Sequence, residues 1–215
     1  MDLNNKKVLF LGDSITEGCG ASDLENCYVS LFKKAYPNAK IFNYGIGGTR
    51  IAQKLNAPSE VEIWDKHFSS RISEMEESAD LVVVFGGTND YGHGDAPLGK
   101  LGDTEENTFY GALFSLYEKM LNKYPTSKIL VLTPLHRLEE NVPNAQGNIL
   151  KEFVVAIRET AELFSLPVLD LYKVSGINPN FAKCMQTMML DGLHPNDIGY
   201  VRLFEIINSY ISSLL

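Results

Sequence analysis

Four short stretches of the 215-residue chain carry residues whose types and spacing could support nucleophilic chemistry. Ser14 follows the apolar climb Val8-Leu9-Phe10-Leu11-Gly12-Asp13. A serine hydroxyl attacks a carbonyl only when a base takes its proton, and the usual base is a histidine held by a carboxylate. Asp191 and His194 stand three residues apart in Asp191-Gly192-Leu193-His194-Pro195. In a turn-like segment that spacing lets the carboxylate hold one ring nitrogen and leaves the other for Ser14. It equally suits an aspartate that caps the helix expected from Pro195, although Asn196 or Asp197 could cap it instead. Acyl transfer also needs donors for the developing oxyanion. The candidates are the backbone N–H of Ser14, the backbone N–H of Gly48 in the glycine-rich turn Gly45-Ile46-Gly47-Gly48, and the side-chain amide of Asn89 in Gly86-Gly87-Thr88-Asn89-Asp90. Asn89 could also be a loop amide that serves nearby backbone groups.

These stretches need a scaffold that gathers them. Apolar runs over 7–11, 40–44, 80–85, 128–133 and 167–171 read as strands. Leu81-Val82-Val83-Val84-Phe85 is apolar on both faces, as a central parallel strand must be. Helical patterns fall over 28–36, 67–77, 104–124, 148–164 and 195–215, with polar loops over 87–104 and 134–147. Strands alternating with helices predict a five-stranded parallel sheet covered on both faces, an α/β class of fold. No repeat or linker divides the chain, so a single domain over 1–215 is expected. Ligands of such sheets bind beyond the carboxyl ends of the strands, and Ser14, Gly48 and Asn89 each follow a strand.

Taken in order, the four stretches resemble the blocks of the SGNH hydrolases, also called the GDSL family of esterases and lipases. Gly12-Asp13-Ser14-Ile15 is similar to the first block, with Ile where Leu is commonest. Asn43-Tyr44-Gly45-Ile46-Gly47-Gly48 resembles the second, Gly86-Gly87-Thr88-Asn89-Asp90 the third, and Asp191-Gly192-Leu193-His194-Pro195 the last. The resemblance spans nearly the whole chain. It implies a three-layer, flavodoxin-like α/β/α sandwich that works without metal or organic cofactor. It implies Ser14 as nucleophile, His194 as base and Asp191 as its orienter, with Ser14, Gly48 and Asn89 as the oxyanion hole. Activity is then expected to fall in acid as the base protonates. Position 16 is Thr, so the serine does not sit in the G-x-S-x-G turn of ordinary α/β-hydrolases.

Other features narrow the function. A net charge of −8, with no run of Lys or Arg, makes nucleic acid and anionic membrane surfaces poor partners. No stretch approaches the length of a membrane-spanning helix, and the N-terminus lacks a signal-peptide pattern. With three cysteines in no metal-binding spacing, the expectation is a cytoplasmic protein with reduced thiols. Nothing in the sequence specifies an oligomeric state. The rival readings are a dinucleotide-binding domain and a non-catalytic module on the same fold. Gly45-Ile46-Gly47 offers G-x-G, but Arg50 replaces the last glycine of that motif. Asp13, His93 and His136 are candidate substrate-binding residues, although Asp13 also suits a turn and helix start. Trp64 reads as core. The polar, glycine-rich loops favour a small-molecule ester with a short acyl group, such as acetyl, on a polar carrier of the carbohydrate type. Lysophospholipase and thioesterase activities are the alternatives within the family.

Overall fold

The strand that delivers Ser14 is paired on both sides. In the computed structural model, which describes residues 2–214, β1 (Lys7–Gly12) runs parallel to β2 (Lys40–Gly45) on one side and β3 (Leu81–Phe85) on the other. Beyond β3 lie β4 (Lys128–Leu132) and the short β5 (Val168–Leu169), so the described residues form one parallel sheet in the order β2-β1-β3-β4-β5. Successive side chains of a strand face opposite ways. Leu9 and Leu11 therefore enter one core with Val82, Val84 and Val131, while Val8 and Phe10 enter another with Val83, Phe85 and Leu132. A strand buried on both faces must be apolar throughout, which is why these runs are legible.

Helices cover both faces. The chain forms α1 (Ser14–Glu17) and α2 (Tyr28–Ala35), then α3 (Thr88–His93), α4 (Phe109–Lys123) and α5 (Leu150–Leu163), and finally α6 (Leu171–Val174), α7 (Ala182–Met188) and α8 (Asp197–Ser213). Phe109, Leu113, Leu116 and Tyr117 of α4 pack with Phe153 and Ile157 of α5 on the Leu9 face. Tyr28 and Phe32 of α2 pack with Tyr200, Leu203 and Ile207 of α8 on the Phe10 face. The result is the expected three-layer α/β/α sandwich.

Several boundaries differ from the sequence expectation, each for a local reason. The helix expected from 104 starts at Phe109, because the Thr108 hydroxyl oxygen accepts from the Gly111 N–H at 3.1 Å and caps it there. The helical stretch expected over 67–77 is a 3₁₀ helix, Phe68–Glu74. The loop expected over 87–104 contains α3, entered through Gly87 at φ 105°. Neither α6 nor α7 is foreshadowed: α7 fully buries none of its residues, so it carries no strong apolar period.

Register and clamps position the site. Gly12 is level with Gly45 on one side and Phe85 on the other, so the chain leaves β1, β2 and β3 along one rim. The strand order reverses beside β1, the switch point where open α/β sheets place their ligands. Arg71, from the 3₁₀ helix, is buried under this rim. Its guanidinium donates to Tyr44 O at 2.9 Å, Gly12 O at 3.1 Å and Thr49 Oγ1 at 3.3 Å, tying two strand ends to the loop that carries Gly48. Burial lowers its pKa to about 10, so it stays charged at neutral pH.

Candidate active site

Ser14 is the first residue of α1. A helix N-terminus leaves N–H groups without intrahelical acceptors, and Asp13 supplies one acceptor, its Oδ1 taking the Ile15 N–H at 3.0 Å. Two contacts hold α1 against the sheet rim. Asn43 Nδ2 donates to Thr16 O at 2.8 Å. Gly45 lies so close that a Cβ on it would fall 2.1 Å from the Glu17 nitrogen. From the far end of the chain, the Tyr200 hydroxyl of α8 donates to Cys19 O at 2.6 Å.

His194 reaches Ser14 across 180 residues of sequence. Its Nε2 lies 2.9 Å from Ser14 Oγ, and its Nδ1 lies 2.8 Å from Asp191 Oδ2. A carboxylate can only accept, so Nδ1 carries the proton and the Nε2 lone pair faces the serine hydroxyl. Asp191 Oδ1 also accepts from Leu193 N at 2.9 Å and His194 N at 2.8 Å, which fixes the turn. Partial burial works against the charge on Asp191. The bonds from the His194 side chain, the His194 N–H and the Leu193 N–H outweigh it and hold the carboxyl below its ordinary pKa. The helix that follows takes its cap from Asn196, whose Oδ1 accepts from Ile198 N at 3.0 Å and Gly199 N at 3.1 Å. That leaves the Asp191 side chain to the histidine.

Gly48 and Asn89 face the same cleft as Ser14 and His194, a space of roughly 400 Å³. The turn and α3 are pinned to each other. Asn89 Nδ2 donates to Thr49 O at 2.9 Å, and the buried Asp90 carboxylate accepts from Ile51 N at 3.0 Å and Ala52 N at 2.8 Å. An amide nitrogen carries two hydrogens, so Asn89 keeps one for the cleft. Gly48 adopts φ 76°, a left-handed conformation that suits glycine. Among the described residues, no acceptor engages the backbone N–H of Gly48.

The other expected residues, Asp13, His93 and His136, are not among those that line this cleft. Asp13 is 2% exposed beneath Ser14 and does not line the cleft. Burial, with a smaller contribution from Asp90, pushes its pKa up to about 7 against the Ile15 bond. His93 is exposed, its ring 6.1 Å from that of Trp64. His136 holds Glu140 through Nδ1 at 2.8 Å and faces a different cleft, beside Tyr172. Trp64, read from the sequence as core, is instead half-buried on the wall of the Ser14 cleft. The 3₁₀ turn that carries it, Glu62–Asp65, has no apolar period that could have revealed this. Glu17 likewise carries no motif signal in the sequence. Its Oε2 accepts from Gly47 N at 2.9 Å and steadies the turn before Gly48. Among the described residues, no group of three or more His, Cys, Asp or Glu is placed to hold a metal ion.

Residues 10–202 match the family described as GDSL-like Lipase/Acylhydrolase. A solved protein from Lactobacillus plantarum is 27% identical, with a TM-score of 0.85 over 99% of each chain. An acetyl xylan esterase is 22% identical, with a TM-score of 0.64 over 95% of this chain and 99% of that one. A two-domain esterase active on acetylated mannans is 21% identical, with a TM-score of 0.60 over 97% of this chain and 49% of that one. At these last identities the likeness is one of fold. Among curated proteins, none matches.

Proposed function

The chain belongs to the GDSL-like Lipase/Acylhydrolase family, and on that premise we propose that it is a serine ester hydrolase with Ser14, His194 and Asp191 as its triad. One observation carries the reading: the unbroken chain from Ser14 Oγ to His194 Nε2, at 2.9 Å, and from His194 Nδ1 to Asp191 Oδ2, at 2.8 Å. Ser14 Oγ attacks the ester carbonyl as its proton passes to Nε2. Asp191 steadies the imidazolium. The oxyanion forms against the N–H groups of Ser14 and Gly48 and the Asn89 amide, donors fixed before the reaction begins. His194 then gives its proton to the departing alcohol oxygen. A water, deprotonated by the same nitrogen, clears the acyl-enzyme. No step draws on a metal or organic cofactor. Asp13 acts beneath the serine as the cap of α1.

The substrate we propose is a short acyl ester, acetyl foremost, on a polar carrier of the carbohydrate type. The modest cleft supports this, as does the shared fold with an acetyl xylan esterase and an esterase active on acetylated mannans. We treat residues 1–215 as one catalytic domain. We place it in the cytoplasm, a reading supported by the free thiols of Cys19, Cys27 and Cys184. Among the described residues, no helix is long and apolar enough to cross a membrane.

The test is hydrolysis of p-nitrophenyl acetate by the wild type and by Ser14→Ala. The expected result is turnover by the wild type and a fall of about 10⁴-fold or more in the variant. Turnover retained in Ser14→Ala contradicts the assignment.

A further inference from the structure

We propose that Trp64 is the wall that limits the length of the acyl group, closing the reactive cleft against a larger cavity beside it. The proposal rests on the serine hydrolase reading above and concerns the selectivity of that site. The indole lies against Gly48. A Cβ on that glycine would fall 2.3 Å from Trp64 Nε1 and 2.5 Å from Cδ1, so the ring fills the space beside the Gly48 amide. The turn that carries it is fastened from within, since Asp65 accepts from Ser59 N at 2.8 Å and Ser59 Oγ at 2.6 Å. The His93 ring stands beside the indole at 6.1 Å.

The neighbouring residue shows what the wall separates. Ile63 lines the reactive cleft of roughly 400 Å³ and also a second cavity of roughly 740 Å³, whose other walls include Ala57, Pro58, Lys54 and Lys66. Ile63 is the residue the two spaces share, and Trp64 beside it lines the reactive cleft. The reaction leaves the acyl chain little choice of direction. The leaving oxygen must lie within reach of His194 Nε2, and the oxyanion must face Gly48 and Asn89. In the proposed pose the acyl chain takes the remaining direction, toward the indole that lines the cleft beside Gly48. An acetyl group then ends in front of the ring, whereas a longer chain meets it. Without the indole, the chain gains a path into the second cavity, whose Ala57, Pro58, Ile63 and lysine stems offer apolar surface.

The experiment measures kcat/KM for p-nitrophenyl esters from acetyl to dodecanoyl in the wild type, Trp64→Ala and Trp64→Phe. In the wild type, activity is expected to fall steeply beyond butanoyl. In Trp64→Ala the octanoyl-to-acetyl ratio is expected to rise about tenfold or more, because even one methylene accommodated in an apolar pocket changes selectivity by about tenfold or more. Trp64→Phe keeps an aromatic wall and is expected to keep the wild-type profile. A ratio in Trp64→Ala within about twofold of the wild type overturns the proposal, as does a wild type that already prefers octanoyl. If Trp64→Ala is unfolded or inactive, Ile63→Ala opens the same partition and the same ratio decides, a severalfold rise supporting the wall and no change overturning it. A wild type that hydrolyses none of these esters sinks the hydrolase reading instead, so the two failures are distinct.

Discussion

Asp191 shows how neighbouring side chains divide the hydrogen bonds of one turn. In the sequence it could orient His194 or cap the following helix. Asn196 takes the cap, with its Oδ1 on Ile198 N and Gly199 N, and Asp191 is left with three bonds to the His194 turn. Asn89 is similarly open in the sequence: it gives one hydrogen to Thr49 O and keeps the other, which the proposed mechanism assigns to the oxyanion. Replacing it with Ala is therefore expected to lower kcat by about 10²–10³-fold, as loss of one oxyanion donor does. Steady-state kinetics on p-nitrophenyl acetate check this, and an unchanged kcat would remove Asn89 from the hole. Asp13 yields a prediction of stability. Its folded pKa, about 7, lies above the value of ~3.9 for an unfolded aspartate. Between those limits the folded state holds a proton that the unfolded state has lost, so this group's contribution to stability falls as pH rises from ~4 to ~7. Asp90, raised to about 6 by burial, acts in the same sense. Asp13→Asn keeps a cap oxygen and removes the titration. Urea unfolding at pH 5 and pH 8 is expected to show a smaller loss of stability across that interval in the variant than in the wild type. Parallel losses would contradict the buried-proton account.

At the scale of elements, α1 shows how little room the rim allows. It packs on the end of β2 so closely that Gly45 has no space for a side chain, its Cβ falling 2.1 Å from the Glu17 nitrogen and 2.5 Å from the Thr16 carbonyl carbon. Backbone cannot yield there without moving α1, which carries Ser14. Gly45→Ala is expected to cost about 1–3 kcal/mol of stability and to lower kcat more than it raises KM, since it displaces Ser14, the proposed nucleophile. Thermal melts and acetyl ester kinetics together check this. A variant with wild-type stability and kcat would show that α1 is free to shift. Elements were legible to the degree that one force shaped them. The strands are buried on both faces, so Leu81–Phe85 reads plainly as an apolar run. The helix start at Phe109 depends on one hydroxyl, Thr108, among several polar residues that could have capped it. The 3₁₀ turn with Trp64 is shaped by Asp65 reaching back to Ser59, a contact that no periodicity encodes.

At the scale of the whole molecule, three parallel strands end level and offer Ser14, Gly48 and Asn89 along one rim, and the chain's last turn before α8 brings His194 to them. The rim is tied below by Arg71 and across by Asp90. The order of the motif blocks made the first of these facts legible, because each block follows a strand. The clamps are not legible: Arg71 lies in a 3₁₀ helix, and its two shorter bonds go to the backbone oxygens of Tyr44 and Gly12, which any sequence would supply. In the proposed reaction His194 activates Ser14 across this assembly. This activation is tested most directly by labelling the folded protein with a fluorophosphonate and locating the adduct by peptide mass spectrometry. One adduct is expected, on Ser14, absent in Ser14→Ala and formed at least about a hundredfold more slowly in His194→Ala. An adduct on another residue, or labelling of Ser14 at the wild-type rate without His194, would contradict it.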